Sequence, residues 1–557
     1  MRLRHVAAAI LVGTGLTLGS APDVRAGGLE QPDQGAQALG RGATFTAKAD
    51  DPTAIYYNVA GLARQRGTRL LFSGNAMFNS FKFTRAGTYP DDPNDPKTPW
   101  GGQPYPTVTN VGGPAFLPML AVSSDFGYFD RFTAGLAVYG PSAIGGRTFP
   151  LGLQGAPSSS RYDFVQSRST LIYPTLGAAY RVTKWLDVGL GGVLVLGNFD
   201  QTTISYADAG QCKNPEYQPC DTRSELQASG KTGTGQIAVL ARPLKELQVG
   251  LQFRLPYSLR ALGRLTPTPP KILGNADTGL KAGDAQLDVA FPWVLRTGVR
   301  YVSMDGPVEV YDLELDVTYE AWGSTGNPQV FAPDLGLYKN VRTETPRGYN
   351  DTFSVRLGGA YNFDVLEGQL ALRGGTFYDK AATDFAYTRI DFDTLHKVGA
   401  TFGLGYKRGP IALNLAYAAI ASIPRTVADG QVRPLNGAKG GKPIDGKDQL
   451  LPAINNGEYK GFTHTLAFGI EITFDAFFGS RKVHYGDPEY EVVVPEEKKP
   501  EKKPDGDGDG DKPEGDKSDD KKDDKKPEEK KPEEKKPEEK KPDPKKPGIE
   551  GCKWGEC

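Results

Sequence analysis

Between residues 247 and 255 the chain alternates strictly. Leu247, Val249, Leu251, Phe253 and Leu255 share one face, and Gln248, Gly250, Gln252 and Arg254 share the other. A soluble strand buried on one side has no use for an arginine and two glutamines facing inward, whereas a membrane β-barrel does: lipid-facing and lumen-facing residues alternate along every strand, and the lumen is polar. The pattern recurs at 313–320, where Leu313, Leu315, Val317 and Tyr319 oppose Glu314, Asp316, Thr318 and Glu320. It recurs again at 353–363, 398–407, 411–419 and 465–474.

Such segments number about fourteen, near 68–81, 115–123, 131–140, 171–181, 185–199, 224–241, 246–260, 285–303, 308–322, 350–363, 368–380, 395–408, 411–421 and 461–474. The connections between them alternate long and short from 82–114 through 422–460, as expected of outer-membrane barrels with short periplasmic turns and long outer loops. The expected fold is therefore all-β, a transmembrane antiparallel barrel over 66–475. An even strand count places both chain ends on the periplasmic side.

The flanking segments are of different material. Arg2 and Arg4 precede an apolar stretch from Val6 to Leu18 and then Val24-Arg25-Ala26, the pattern of a secretory signal peptide over 1–26. Residues 476–557 are expected to be a periplasmic tail rich in Lys, Glu and Pro; from about 496 it is built of repeats such as Lys-Lys-Pro-Glu-Glu with hardly any apolar residues and is expected to be disordered. A net charge of -1 gives no reason to expect nucleic acid as a partner.

Between signal and barrel, residues 27–65 carry small residues (Gln34-Gly35-Ala36-Gln37-Ala38-Leu39-Gly40-Arg41-Gly42), then Asp50-Asp51 and Asn58-Val59-Ala60-Gly61-Leu62. Small residues permit close packing in a narrow lumen, and Asn58 can bond backbone left unpaired there. With Asp51 and the Asn58 to Leu62 motif, the chain resembles the FadL/TodX family of outer-membrane transporters for long-chain fatty acids and other hydrophobic compounds. Val59 stands where that family's motif has Pro, which would have fixed the turn. Further resemblance lies in Phe132 to Phe149 with Gly140-Pro141 and Gly145-Gly146-Arg147, in Asp288 to Trp322, and in Asp351 to Tyr361. Leu372-Arg373-Gly374-Gly375 and Tyr378-Asp379 add to it.

The resemblance implies a channel in which 27–65 form a lumenal hatch, with Asn58, Val59, Ala60 and Gly61 at its gating tip. Hydrophobic ligand, long-chain fatty acid first, would leave sideways through the wall at a kink in the third strand, near Gly135, Gly140 and Pro141. Gly and Pro weaken strand pairing, which fits either a kink or a simple strand end. Phe116, Leu117, Ile144 and Phe149 are candidates for capturing ligand at the outer face, and Arg147 and Arg161 for meeting a carboxylate head. The expected partners are a hydrophobic small molecule, fatty acid or aromatic, outer-membrane lipid, and a periplasmic partner of the tail. The barrel is expected to be a monomer.

Cys212 and Cys220 share one long loop of an exported chain and are expected to form a disulfide, as are Cys552 and Cys557 at the C-terminus. No catalytic group, cofactor or metal site is expected. His396 and His464 fall at strand starts, and Gly441 to Lys447 mimics a phosphate loop without its strand and helix. The alternative from another class is a structural or adhesion barrel with a tail that binds a periplasmic component.

Overall fold

The computed structural model describes residues 34–474 apart from 91–98, 142–145, 207–216, 275–276, 307, 392–394, 437–441, 444, 447–448 and 451–452, and only backbone at the remaining positions of 435–450. The sequence-predicted signal peptide, the tail, Ile144, Cys212, Cys552 and Cys557 lie outside the described residues.

Fourteen strands form the wall. They are β1 (Thr68–Arg85), β2 (Ala115–Ser124), β3 (Phe132–Tyr139), β4 (Thr170–Arg181), β5 (Leu186–Tyr206), β6 (Asp221–Ala241) and β7 (Leu247–Arg254 and Tyr257–Thr268). Then follow β8 (Gly283–Phe291 and Val294–Asp305), β9 (Val308–Glu320), β10 (Thr352–Val365), β11 (Gly368–Asp379), β12 (Lys397–Arg408), β13 (Ile411–Val427) and β14 (Gly457–Thr473). Each pairs antiparallel with the next, and β14 pairs with β1 from Thr473↔Arg69 to Gly457↔Arg85, closing the ring. Closure matters because an open edge would leave backbone N–H and C=O groups facing hydrocarbon.

The alternation seen in the sequence becomes an inside and an outside. Leu313 and Leu315 face outward at 52% and 46% exposure, whereas Asp312, Glu314 and Asp316 between them are buried in the lumen. Gln252 and Arg254 likewise face inward while Leu251 faces out. The β7 and β8 ladders break at one level, where Pro256 and Pro292 fall opposite each other in the register that runs from Tyr257↔Phe291 to Arg254↔Val294. Proline has no N–H to give a ladder, so two facing prolines interrupt a single rung rather than two.

At the long-loop end the wall runs further than the apolar alternation suggested. The β5–β6 ladder continues to Tyr206↔Asp221: polar residues such as Thr203, Ser205 and Arg223 replace the apolar outward ones, while Ile204 and Tyr206 stay buried on the inner face. At the long-loop end, Phe81 and Phe83 of β1 and Tyr459 of β14 pack with Val108, Phe149, Phe164, Ile390 and Leu395 of the loops into a cap core.

Candidate functional site

The segment from Gln34 to Gly67 enters the lumen as two single helical turns, Ala36–Leu39 and Ala54–Tyr57, and a 3-10 turn, Val59–Arg64. So little regular structure leaves many backbone donors and acceptors without partners inside the segment, and the wall supplies them. Strand β9 presents Asp312, Glu314 and Asp316 on its inner face. Oδ2 of Asp316 accepts from Phe45 N (2.9 Å), Thr46 N (3.0 Å) and Thr46 Oγ1 (2.8 Å). Oε1 of Glu314 accepts from Ala47 N at 2.6 Å, and its Oε2 accepts from Arg41, which is fully buried and also ion-paired to Asp312. Arg300 meets Asp312 from the neighbouring strand at 2.8 Å, so Asp312 and Glu314 are balanced by Arg41 and Arg300, whereas Asp316 is held by neutral donors.

The later part of the segment, from Ile55 to Ala63, is held through its carbonyls. Gln236 donates to Ile55 O and Gln252 to Tyr56 O, each at 2.7 Å, Arg296 donates to Tyr56 O at 2.8 Å, and Arg181 donates to Ala63 O at 3.0 Å. Gln252 also accepts from Val59 N at 2.9 Å. Asn58 is fully buried: its amide donates to Thr46 O (2.7 Å) and to Val239 O of the wall (3.1 Å), and its Oδ1 accepts from Ala60 N. Val59, Ala60 and Gly61 pack below it without exposure. A side chain at Gly250 or Gly358 would collide with the carbonyls of Thr46 and Arg41, so the wall is glycine where the segment's backbone passes closest.

Within and beside this segment lies a packed apolar cluster whose aromatic rings form a continuous chain. Phe45 packs edge-on against Tyr57 (5.4 Å between ring centroids), Tyr57 against Tyr56 (4.8 Å), Tyr56 against Tyr139 of β3 (5.3 Å) and Tyr139 against Tyr173 of β4 (5.7 Å). The Tyr173 and Tyr257 hydroxyls share a hydrogen bond at 2.9 Å, and Tyr257 stacks on Phe291 at 4.6 Å. Phe291 then reaches Trp322, and Trp322 reaches Tyr349 in the long-loop region. Val193, Val195, Leu226 and Leu259 complete the same cluster. The packed rings gain about 25 cal/mol for each Å² of apolar surface removed from water, with edge-to-face contacts in addition.

Among the described residues the wall beside this cluster is split. β3 pairs with β2 only from Ala134↔Ser124 to Val138↔Leu120. β2 nevertheless continues back to Ala115, where it is still paired with Met77 of β1. Residues 115–119 therefore have β1 as their single strand partner among the described residues. β3 stays with β4 as far as Tyr139↔Tyr173. Gly140 follows directly; its carbonyl accepts from Gln34 Nε2 at 2.8 Å, and a Cβ there would collide with Leu171 O. Gly135 lies lower on β3, where an added Cβ would come within 3.2 Å of Leu62 of the lumenal segment. Pro141, next after Gly140, is buried.

The capture candidates are placed differently from one another. Phe116, expected in a groove of the outer loops, instead lies on β2 with its side chain outward and 63% exposed, because it shares parity with Leu120 and not with lumen-facing Met119. Leu117 has the lumen-facing parity. Phe149 is buried in the cap core. Arg147 is buried, donates to Ile390 O at 3.0 Å and lies over the Phe81 ring. Arg161 is buried and ion-paired to Asp221 at 2.8 Å, with Tyr162 Oη at 3.0 Å, so a ligand carboxylate would have to displace Asp221. Cys220 is buried and disulfide-bonded.

A second charged cluster closes the cap. Arg347 meets Asp391 at 2.6 Å, and Arg389 meets Asp163 at 2.9 Å. Burial alone would raise the Asp391 carboxyl, but the guanidinium groups of Arg347 and Arg389 hold it down to about 2. Burial, helped by Arg425 and Lys380, pushes the His396 imidazole down to about 4, so it is neutral at ordinary pH.

Sequence reasoning missed the aromatic chain and the partners of the β9 acids. Tyr139, Tyr173 and Tyr257 carried a usable signal in their lumen-facing parity, whereas nothing local marked which part of the hatch each acid meets.

A family model described as outer membrane protein transport protein (OMPP1/FadL/TodX) matches residues 18–441. In fold the chain is similar to the crystal structure of a Pseudomonas aeruginosa FadL homologue, with a TM-score of 0.61 and 14% identity, covering 81% of this chain and 100% of that one. It is also similar to the Pseudomonas putida toluene transporter TodX, with a TM-score of 0.54 and 14% identity over 81% of this chain and 99% of that one. The Ralstonia pickettii toluene transporter TbuX gives a TM-score of 0.54 and 14% identity over 80% and 99%. A search of the curated proteins finds no match.

Proposed function

We propose, from the premise that this chain belongs to the outer membrane protein transport family of OMPP1, FadL and TodX, that it admits hydrophobic molecules through the outer membrane by passive diffusion with lateral exit. In this reading the long-loop end faces outward and the short turns face the periplasm. Ligand enters beneath the cap, passes along the aromatic cluster, and leaves between β2 and β3 when the hatch segment shifts. The observation that carries the reading is the split itself: among the described residues, 115–119 of β2 have no partner on β3, next to Tyr139 and to the Gln34–Gly140 hydrogen bond. A lateral route keeps an apolar solute out of water, which for an acyl chain is worth about 0.8 kcal/mol for each buried methylene.

For the substrate, the proposal covers long-chain fatty acids and aromatic hydrocarbons. The chain of rings and the engagement of Arg161 by Asp221 favour neutral aromatics over carboxylates. The test is uptake of a labelled fatty acid and of labelled toluene by cells lacking their own transporter, with barrel assembly checked by cell-surface labelling. Uptake of either that depends on this protein supports transport and ranks the substrates. No uptake of either by an assembled barrel overturns the reading in favour of an adhesion or structural barrel.

A further inference from the structure

On the outward face of the wall, an apolar groove of about 470 Å³ crosses β12, β13, β14, β1 and β2. It exists because β1 carries Gly74 and Ala76 where the flanking outward positions carry Phe72 and Phe78. Phe116 leans over this floor so closely that a Cβ at Gly74 would lie 2.7 Å from its ring. Toward the long-loop end, Lys82 of β1 and Lys460 of β14 are direct register partners, both exposed on the same outward face. Like charges directly opposed across an antiparallel pair repel. Lys460 is tied to Glu458 at 2.7 Å, and Lys82 has no ionic partner among the described residues.

The spacing matches a leaflet. From Ala76 to Lys82, and from Leu466 to Lys460, six residues of strand cover about 20 Å. At a tilt of about 45° this amounts to about 14 Å of depth, close to half of a hydrocarbon core about 30 Å thick. With the groove near mid-bilayer, the lysine pair lies at the headgroups of the leaflet on the long-loop side. The outward residues between the two levels include Phe78, Phe462 and the hydrogen-bonded pair Tyr417 and His464.

We propose that this face holds one phosphorylated membrane lipid, with an acyl chain seated over Gly74 and Ala76 and the phosphate between Lys82 and Lys460. The phosphate meets the charge of Lys82, which no described acid pairs, and reaches Lys460 beside it, and the glycine–alanine floor admits a chain that phenylalanine would exclude. Phe116 forms the rim on the side of the β2–β3 split, so the lipid lies beside the wall's unpaired segment.

The test is native mass spectrometry of the full chain, delipidated in detergent and titrated with dimyristoyl phosphatidylglycerol or with phosphate-free dimyristoylglycerol. The intact protein is expected to retain one phosphatidylglycerol at concentrations where it retains no diacylglycerol. The double variant Lys82→Gln, Lys460→Gln is expected to weaken that retention by about tenfold. Ala76→Phe is expected to lower retention with both lysines in place, and Lys231→Gln, an exposed lysine on β6, to leave it unchanged. Equal retention of the two lipids by the intact protein, or unchanged retention in the double variant, overturns the proposal; the changes are on the membrane-facing surface and assembly is verified by heat-modifiable mobility.

Discussion

Asp316 concentrates the hold on the lumenal segment, since one carboxylate oxygen accepts three hydrogen bonds from Phe45 and Thr46. Asp316→Ala leaves three buried donors unmet, at roughly 1–3 kcal/mol for each group that water does not reach. The amides of Phe45 and Thr46 are then expected to lose about a hundredfold of their hydrogen-exchange protection, while those of the β9 ladder keep theirs. Equal loss in both places would show a barrel destabilised as a whole. Asp316→Asn, which retains one acceptor oxygen, is expected to fall between.

Proton binding acts at the cap. His396 and Asp391 both titrate below their ordinary values of about 6.5 and 3.9. The contribution of neutral His396 is present above about pH 6.5 and is lost as pH falls toward 4. That of ionised Asp391 is present above about 3.9 and is lost toward 2. The cap is expected to loosen in acid in these two windows, read as faster proteolysis of the loops around 380–396. His396→Phe should abolish the upper window and leave the lower one. Much at this scale was legible in the sequence: Gln252, Arg254, Glu314 and Asp316 declare themselves lumen-facing because lipid forbids the other face. What each meets across the lumen was not, because Asp316 and Thr46 are far apart in sequence and nothing local to either records the contact.

Among elements, the informative one is β3, the shortest uninterrupted wall strand. Gly140-Pro141 left open whether the third strand kinks or merely ends. Pairing decides where it parts from β2, after Val138↔Leu120, while it stays with β4 for one more residue. Strand number and order were readable from parity and connection length. The reach of β5 and β6 was underestimated because their outer ends, beyond the lipid, no longer need apolar residues. The glycines of the inner wall make a separate prediction. Gly250→Val places a side chain where Thr46 O now lies; the barrel is expected to assemble while residues 34–67 lose their seat and become sensitive to added protease. An assembled Gly250→Val barrel that resists protease as the parent does would mean that the segment is not held by close approach to β7.

For the whole molecule, the account is of a ring of strands closed from β14 to β1, a stretch of β2 that among the described residues lacks its β3 partner, an apolar cluster behind it, and a lumenal segment whose bonds reach both. Gln34 ties that segment to Gly140 beside the stretch, and the β9 acids tie it across the lumen. The most direct measurement bridges the stretch chemically. Extending the β2–β3 register of Leu120↔Val138 places residue 117 opposite residue 141, so the double variant Leu117→Cys, Pro141→Cys, made with Cys220 and the other native cysteines unchanged, can be cross-linked in assembled barrels on cells and reopened by a mild reductant. Uptake of the labelled hydrophobic substrate is predicted to fall when the bond forms and to return when it is reduced, with neither change in the parent protein. Undiminished uptake through a fully cross-linked barrel would contradict lateral exit and place the route through the hatch.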